Sequence, residues 1–209
     1  MKSIKKHINI FIMLMIVSHS CSSDDSNFIA ESEYTSVNNL PAPQFGGQGQ
    51  PASGPFTKFD FSSGSITTNE INWDIGFRGT TIIVNGGESM GTLDEPTRNG
   101  NAAVYIVNDI FSNVLQVEAG LFVQDSSSSY AINIGSGNGW YNYTGSPEHL
   151  ILPIPGRVLV FRTRDSGYAK VEILSYYYDA PENPNALTDQ SRFYTFNYVY
   201  QSDSSQINF

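Results

Sequence analysis

The chain has 209 residues, with 20 Asp and Glu against 11 Lys and Arg and a net charge of −9 at pH 7. That balance excludes a role tracking nucleic-acid phosphates, which needs a basic face, and it excludes docking of the bare polypeptide on an anionic membrane. With one Cys, an intrachain disulfide is excluded as well.

The first element is a leader. Lys2, Lys5 and Lys6 precede an apolar run from Ile8 to Val17, too short for a bilayer span and suited to a signal h-region. The run ends in Ser18-His19-Ser20-Cys21, followed by Ser-Ser-Asp-Asp. This resembles a lipoprotein signal peptide in which Cys21 becomes the lipidated N-terminus, and the acidic tetrapeptide resembles an export tag for the cell surface. Cleavage before Cys21 leaves eight bases against twenty acids, a net charge of −12. Membrane attachment then runs through the lipid alone.

Residues 22–54 are rich in Ser, Asn, Gln, Pro and Gly and read as a flexible spacer. From Phe56 onward strand formers dominate, broken by Gly or Asn about every eight to twelve residues. The expected strands are "FTKFDFSSG", "INWDIGF", "TTIIVNGG", "AAVYIVND", "VLQVEAGLFV", "YAINIGSG", "WYNYTG", "RVLVFRTRDSGYAKVEILSYYYD" and "RFYTFNYVYQ". A hairpin turn is expected at Asp165-Ser166-Gly167. Helix signals are weak; only residues 103–119 resemble one, and their Val, Ile and Asn argue against it. The expected division is a signal at 1–20, a lipidated spacer at 21–54 and an all-β, mostly antiparallel domain at 55–209 with few or short helices.

Motifs for catalysis fail on context. Gly87-Glu88-Ser89-Met90-Gly91 matches a nucleophile elbow, but a Pro- and Gly-containing loop follows where a helix is required. "IGSGNG" at 134–139 lacks the Lys and the helix of a phosphate loop. Asp60, Asp74, Glu88, Asp94 and Glu95 include possible carboxylate pairs, yet no spacing singles one out. An enzyme is not expected. The ligand census is more restrictive. His7, His19, Met1, Met13 and Met15 fall in the signal, so the mature chain keeps only His149 and Met90. A multi-His zinc centre is thereby excluded within one chain, while one His and one Met make a workable axial pair for haem iron. Aromatic runs at 140–143, 176–178 and 193–200 supply either core or the walls of a planar-ligand site.

Taken in order, "FTKFDFSSG", "NEINWDIGFRGTTIIVNGGES", "GNGWYNYTG", "GRVLVFRTRDSGYAKVEILSYYYD" and "RFYTFNYVY" resemble the HmuY family of haem-binding surface lipoproteins. The strongest matches are Asn69 to Asp74 and Arg157 to Val171, and the resemblance covers about residues 55–200. It implies a mostly-β protein that captures haem outside the cell and passes it to an outer-membrane transporter. The family's second ligand position falls on Gly145, with His149 four residues later, and its first ligand region falls on the Ser-rich "QDSSSSYAIN". His149 and Met90 are the expected iron ligands, with Arg78, Arg157 or Arg162 as donors to the propionates. The competing expectation is a family member that binds a glycan or a protein partner through its aromatic loops.

Overall fold

A computed structural model describes residues 33–209 apart from Gln48. The leader and Cys21 lie outside the described residues. Thirteen strands follow in order: β1 Thr35–Pro41, β2 Phe45–Gly47, β3 Gln50–Ser53, β4 Thr57–Asp60, β5 Ser65–Thr67, β6 Ile75–Arg78, β7 Thr81–Val84, β8 Ala103–Asn108, β9 Tyr141–Tyr143, β10 Ile151–Pro153, β11 Arg157–Arg162, β12 Tyr168–Tyr177 and β13 Ser191–Gln201. They form a five-stranded sheet in the order β1-β13-β12-β11-β8, a four-stranded sheet in the order β5-β4-β6-β7, and two separate hairpins, β2-β3 and β9-β10. Every strand pairing is antiparallel.

The two larger sheets meet through aromatic rings. Phe59 of β4 lies 5.5 Å from Phe196 and 5.9 Å from Tyr198 of β13, and Phe77 of β6 lies 4.8 Å from Tyr194. Phe59, Phe77, Tyr194 and Phe196 are buried, and each contributes about 1.5–3 kcal/mol by leaving water. Tyr194 keeps its hydroxyl satisfied by donating to Gly79 O at 2.9 Å. Most of the aromatic runs are therefore core. The expected hairpin is present, with β11 paired to β12 around the 165–167 turn.

Three expectations are corrected. First, the spacer does not extend to residue 54, because β1, β2 and β3 lie within it. Its sparse apolar residues are offset by main-chain pairing: β1 adds to the edge of the sheet beside β13, Leu40 and Ala42 are buried, and Ala42 N–H donates to Arg192 O at 2.8 Å. Second, "VLQVEAGLFV" is not a strand. It is a loop that follows a 3-10 turn at Phe111–Asn113 and contains another at Ala119–Leu121, and a single bridge, Val104 to Val123, ties it to β8. Val114 and Val117 are buried over the sheet, and the Val114 carbonyl, with that of Phe111 just before the segment, serves the buried Lys170, whose Nζ donates to Phe111 O and Val114 O at 3.1 and 2.9 Å. Third, "YAINIGSG" makes no strand. Gly135 and Gly137 have φ of 95° and 81°, which turns the chain before a ladder can form.

Candidate functional site

The β9–β10 hairpin grows out of the core. Trp140, just before β9, is 2% exposed, and its Nε1–H donates to Thr80 O at 2.9 Å. Its ring sits 5.0 Å from both Tyr141 and Tyr194. From this anchor β9 runs outward, so that Tyr141 is buried and Tyr143 is half exposed. Tyr143 pairs with Ile151 of β10. The turn between them is closed by Thr144 N–H to Leu150 O at 3.0 Å, Leu150 N–H to Thr144 Oγ1 at 2.9 Å, and His149 N–H to Gly145 O at 2.7 Å.

His149 is exposed and has φ of 55°, a left-handed conformation in which His is enriched. Its Nδ1 is hydrogen-bonded to the Tyr143 hydroxyl, and the two rings lie 5.9 Å apart at 31°. The tautomer in which Nδ1–H donates to the phenol oxygen leaves the Nε2 lone pair uncommitted. An imidazole oriented through one nitrogen and free at the other is the arrangement metal-ligating histidines use. The same turn borders a groove of about 380 Å³, formed by Pro147, Glu148 and Leu150 and by residues 183–187 after β12; His149 itself does not line it. Leu187 is 90% exposed on its rim, the most exposed large apolar side chain among the described residues. Its loop is held by Leu187 N–H to Asn185 Oδ1 at 2.9 Å and Asn185 N–H to Asp189 Oδ2 at 2.8 Å.

Met90 is elsewhere. It is half-buried against Phe56, Trp73, Ile83 and Tyr130. Its N–H donates to Glu95 Oε1 at 3.2 Å. Glu95 pairs with Arg98 at 2.6 Å, and Arg98 with Asp125 at 2.9 Å, all three side chains being almost fully buried. Burial pushes Asp125 up, and the N–H of Ala131 and the Arg98 charge only partly oppose it. Burial also raises Glu95, but the Thr92 amide and hydroxyl and the Arg98 charge outweigh it and hold the carboxyl below its usual range. This network fixes the Met90 loop onto the four-stranded sheet. Among the described residues, no hydrogen bond, ring contact or apolar cluster joins Met90 to His149. The structure does not bring the expected ligand pair together.

The expected anion donors are also committed elsewhere. Arg78 is buried and donates to Gly54 O, Leu93 O and Thr92 Oγ1 at 3.2, 2.5 and 2.9 Å. Arg157 donates to Gly137 O and Gly139 O, and Arg162 to Asn101 O. In the elbow-like segment, the Ser89 hydroxyl accepts from Gly91 N–H at 3.1 Å, and the chain continues as loop. Of the carboxylates, Asp60 and Asp74 flank Arg164 at 2.8 and 3.6 Å as a structural cluster.

Most of the domain matches one family. The model of the HmuY protein family matches residues 54–198. The chain belongs to the HmuY family. In that family frame, Gly145 and His149 are hydrogen-bonded neighbours across one turn, so the side chain four residues downstream occupies the same hairpin tip. Solved structures similar to this HmuY-family chain include a Bacteroides fragilis protein described as a candidate lipoprotein (15% identity, 84% of this chain and 94% of that one, TM-score 0.47), the apo HmuY analogue of Tannerella forsythia (13%, 82% and 96%, 0.47), and a candidate HmuY-like haem-binding protein of Bacteroides vulgatus (15%, 83% and 93%, 0.45). No curated protein matches the sequence.

The donor set fits haem in part. One exposed imidazole, His149, sits on a turn that borders a groove, and no second His or Met is joined to it among the described residues. Tyr143 and Leu187 were not singled out by the sequence. The aromatic run at 140–143 held the signal for Tyr143, whereas Leu187 sits in a polar loop that gives none.

Proposed function

We propose that this HmuY-family chain is a haem-capturing surface lipoprotein. It is lipidated at Cys21, tethered to the outer membrane through that lipid, and hands haem to an outer-membrane transporter. The observation that carries the reading is His149, an exposed imidazole oriented by Tyr143 on a hairpin turn whose other residues Pro147, Glu148 and Leu150 line a groove. Bound haem supplies an iron centre with axial positions for a nitrogen donor, and a planar apolar ligand needs an apolar slot with few polar groups. In this reading His149 is the protein's ligand, and Met90 keeps its place in the apolar cluster around Trp73.

The test is a haemin titration of the lipid-free mature chain, carrying Cys21→Ser, followed at the Soret band in both redox states. A saturable shift that His149→Ala removes and Met90→Ala leaves intact supports the reading. No saturable shift in either state sinks it and favours the competing role as a binder of another surface ligand. Metabolic labelling with a fatty acid tests the anchor separately; label must enter the wild-type chain and not Cys21→Ser.

A further inference from the structure

A second cleft, of about 730 Å³, shares no lining residue with the groove at the 147–150 turn. Its volume lies in the range of small-molecule sites, roughly 300–1,000 Å³. It is formed where the segment around Gln44, the Gly79–Thr80 turn, Tyr141, Tyr176 and the Ser191–Arg192 entry to β13 converge. No acid lines it, although the chain carries 20 acids and 11 bases. The cation in its wall is Arg192.

Arg192 is held ready rather than neutralised. Its NH1 donates to Gln44 O at 2.6 Å, and its guanidinium also hydrogen-bonds the Tyr176 hydroxyl. Unlike Arg98 and Arg164, it has no carboxylate partner among the described residues. Its φ is 70°, a left-handed conformation unusual for a long side chain. Strained backbone of this kind gathers at ligand clamps. The rest of the wall offers the hydroxyls of Thr80, Tyr141, Tyr176 and Ser191 and the amide of Gln44.

One cation without a carboxylate partner, among many neutral hydrogen-bonding groups, matches a ligand with one carboxylate and several hydroxyls. We propose that this cleft binds an acidic saccharide, with its carboxylate on Arg192 and its hydroxyls on the Thr80, Tyr141, Ser191 and Gln44 side of the wall. A guanidinium fork suits a carboxylate bidentately. The assignment does not depend on haem, since His149 does not line the cleft.

Calorimetric titration of the lipid-free mature chain with D-glucuronate, and with D-glucose as the neutral control, tests it. Glucuronate is expected to bind saturably and glucose at least tenfold more weakly. Arg192→Gln, shown to be folded by its thermal melt, is expected to lose at least tenfold in glucuronate affinity. Tyr176→Phe, which keeps the buried ring, is expected to lose about two- to fivefold. His149→Ala is expected to bind glucuronate as wild type does. Any of four results overturns the assignment: no saturable wild-type binding up to about 10 mM, equal affinity for the two sugars, wild-type affinity in folded Arg192→Gln, or loss of binding in His149→Ala. Should Arg192→Gln unfold, the wild-type preference for glucuronate over glucose decides by itself.

Discussion

Asp74 and His149 stand at opposite extremes of the same molecule. Asp74 is 1% exposed and accepts from Phe61 N–H at 2.9 Å and Arg164 N–H at 2.8 Å, so one side chain ties the end of β4 to the β11–β12 turn. Around it, Trp73 is fully buried with its Nε1–H on Glu70 O, and Asn85 donates to Ile71 O and Trp73 O while accepting from Asn99 and Gly100. His149 is exposed and has one side-chain partner, Tyr143. The buried joint is costly to alter, because each of its polar groups satisfies another that water cannot reach. The hairpin tip is cheap to alter, because water replaces whatever is removed. If ligand capture resides at the hairpin tip as proposed, it is separate from the stability of the buried joint, and mutations should separate the two.

The largest loss of stability is expected at Arg98→Ala, which leaves Glu95 and Asp125 buried without their cation. Removing one partner of such a cluster costs about 3–5 kcal/mol, read as a fall in the urea midpoint. Asp74→Ala follows at about 3 kcal/mol, since two buried N–H groups lose their acceptor. The same carboxyl makes a pH prediction. Burial raises its pKa from 3.8 to about 6, over the opposition of the Arg164 and Phe61 N–H groups and the Arg164 charge. The folded state therefore binds this proton more tightly than the unfolded chain does. The contribution of Asp74 to stability is greatest below pH 3.8 and declines as pH rises through about 6. Denaturant midpoints measured from pH 4 to pH 7 should carry this downward component in the wild type, and Asp74→Asn should lack it.

Met90→Ala is expected to cost about 1–2 kcal/mol, as a half-buried side chain leaves the Trp73 cluster, and to leave any haemin spectrum unchanged. A Soret change in Met90→Ala would mean that its loop reaches the iron, and the separation drawn between the two regions would fail. At the small end, His149→Ala should shift the urea midpoint by less than about 0.5 kcal/mol.

The contrast also accounts for what the sequence made readable. Asn69 to Asp74 stands out because a buried joint restricts every residue in it, down to which side chain can accept two N–H groups. Alternating aromatics marked β4 and β13 because one face of each packs across the core. The strand β1 was hidden, since its edge position is stabilised through main-chain pairing, which leaves little mark on composition. Residues 114–123 misled in the other direction: Val114 and Val117 are buried as part of a loop over the sheet, and burial alone does not distinguish a loop from a ladder. His149 was legible only by elimination, as the mature chain's one histidine, and its pairing with Met90 was not. Two residues 59 apart in sequence carry no pattern that says whether they meet, and here the Glu95–Arg98–Asp125 network holds one of them on another sheet.

The central claim is that ligand capture resides at the hairpin tip and is independent of the buried joint. Haemin titration of the lipid-free mature chain and its His149→Ala variant, with both melts recorded, tests it most directly. The account predicts a saturable Soret shift in the wild type, its loss in His149→Ala, and superimposable melts. An unchanged Soret shift in a folded His149→Ala would contradict it.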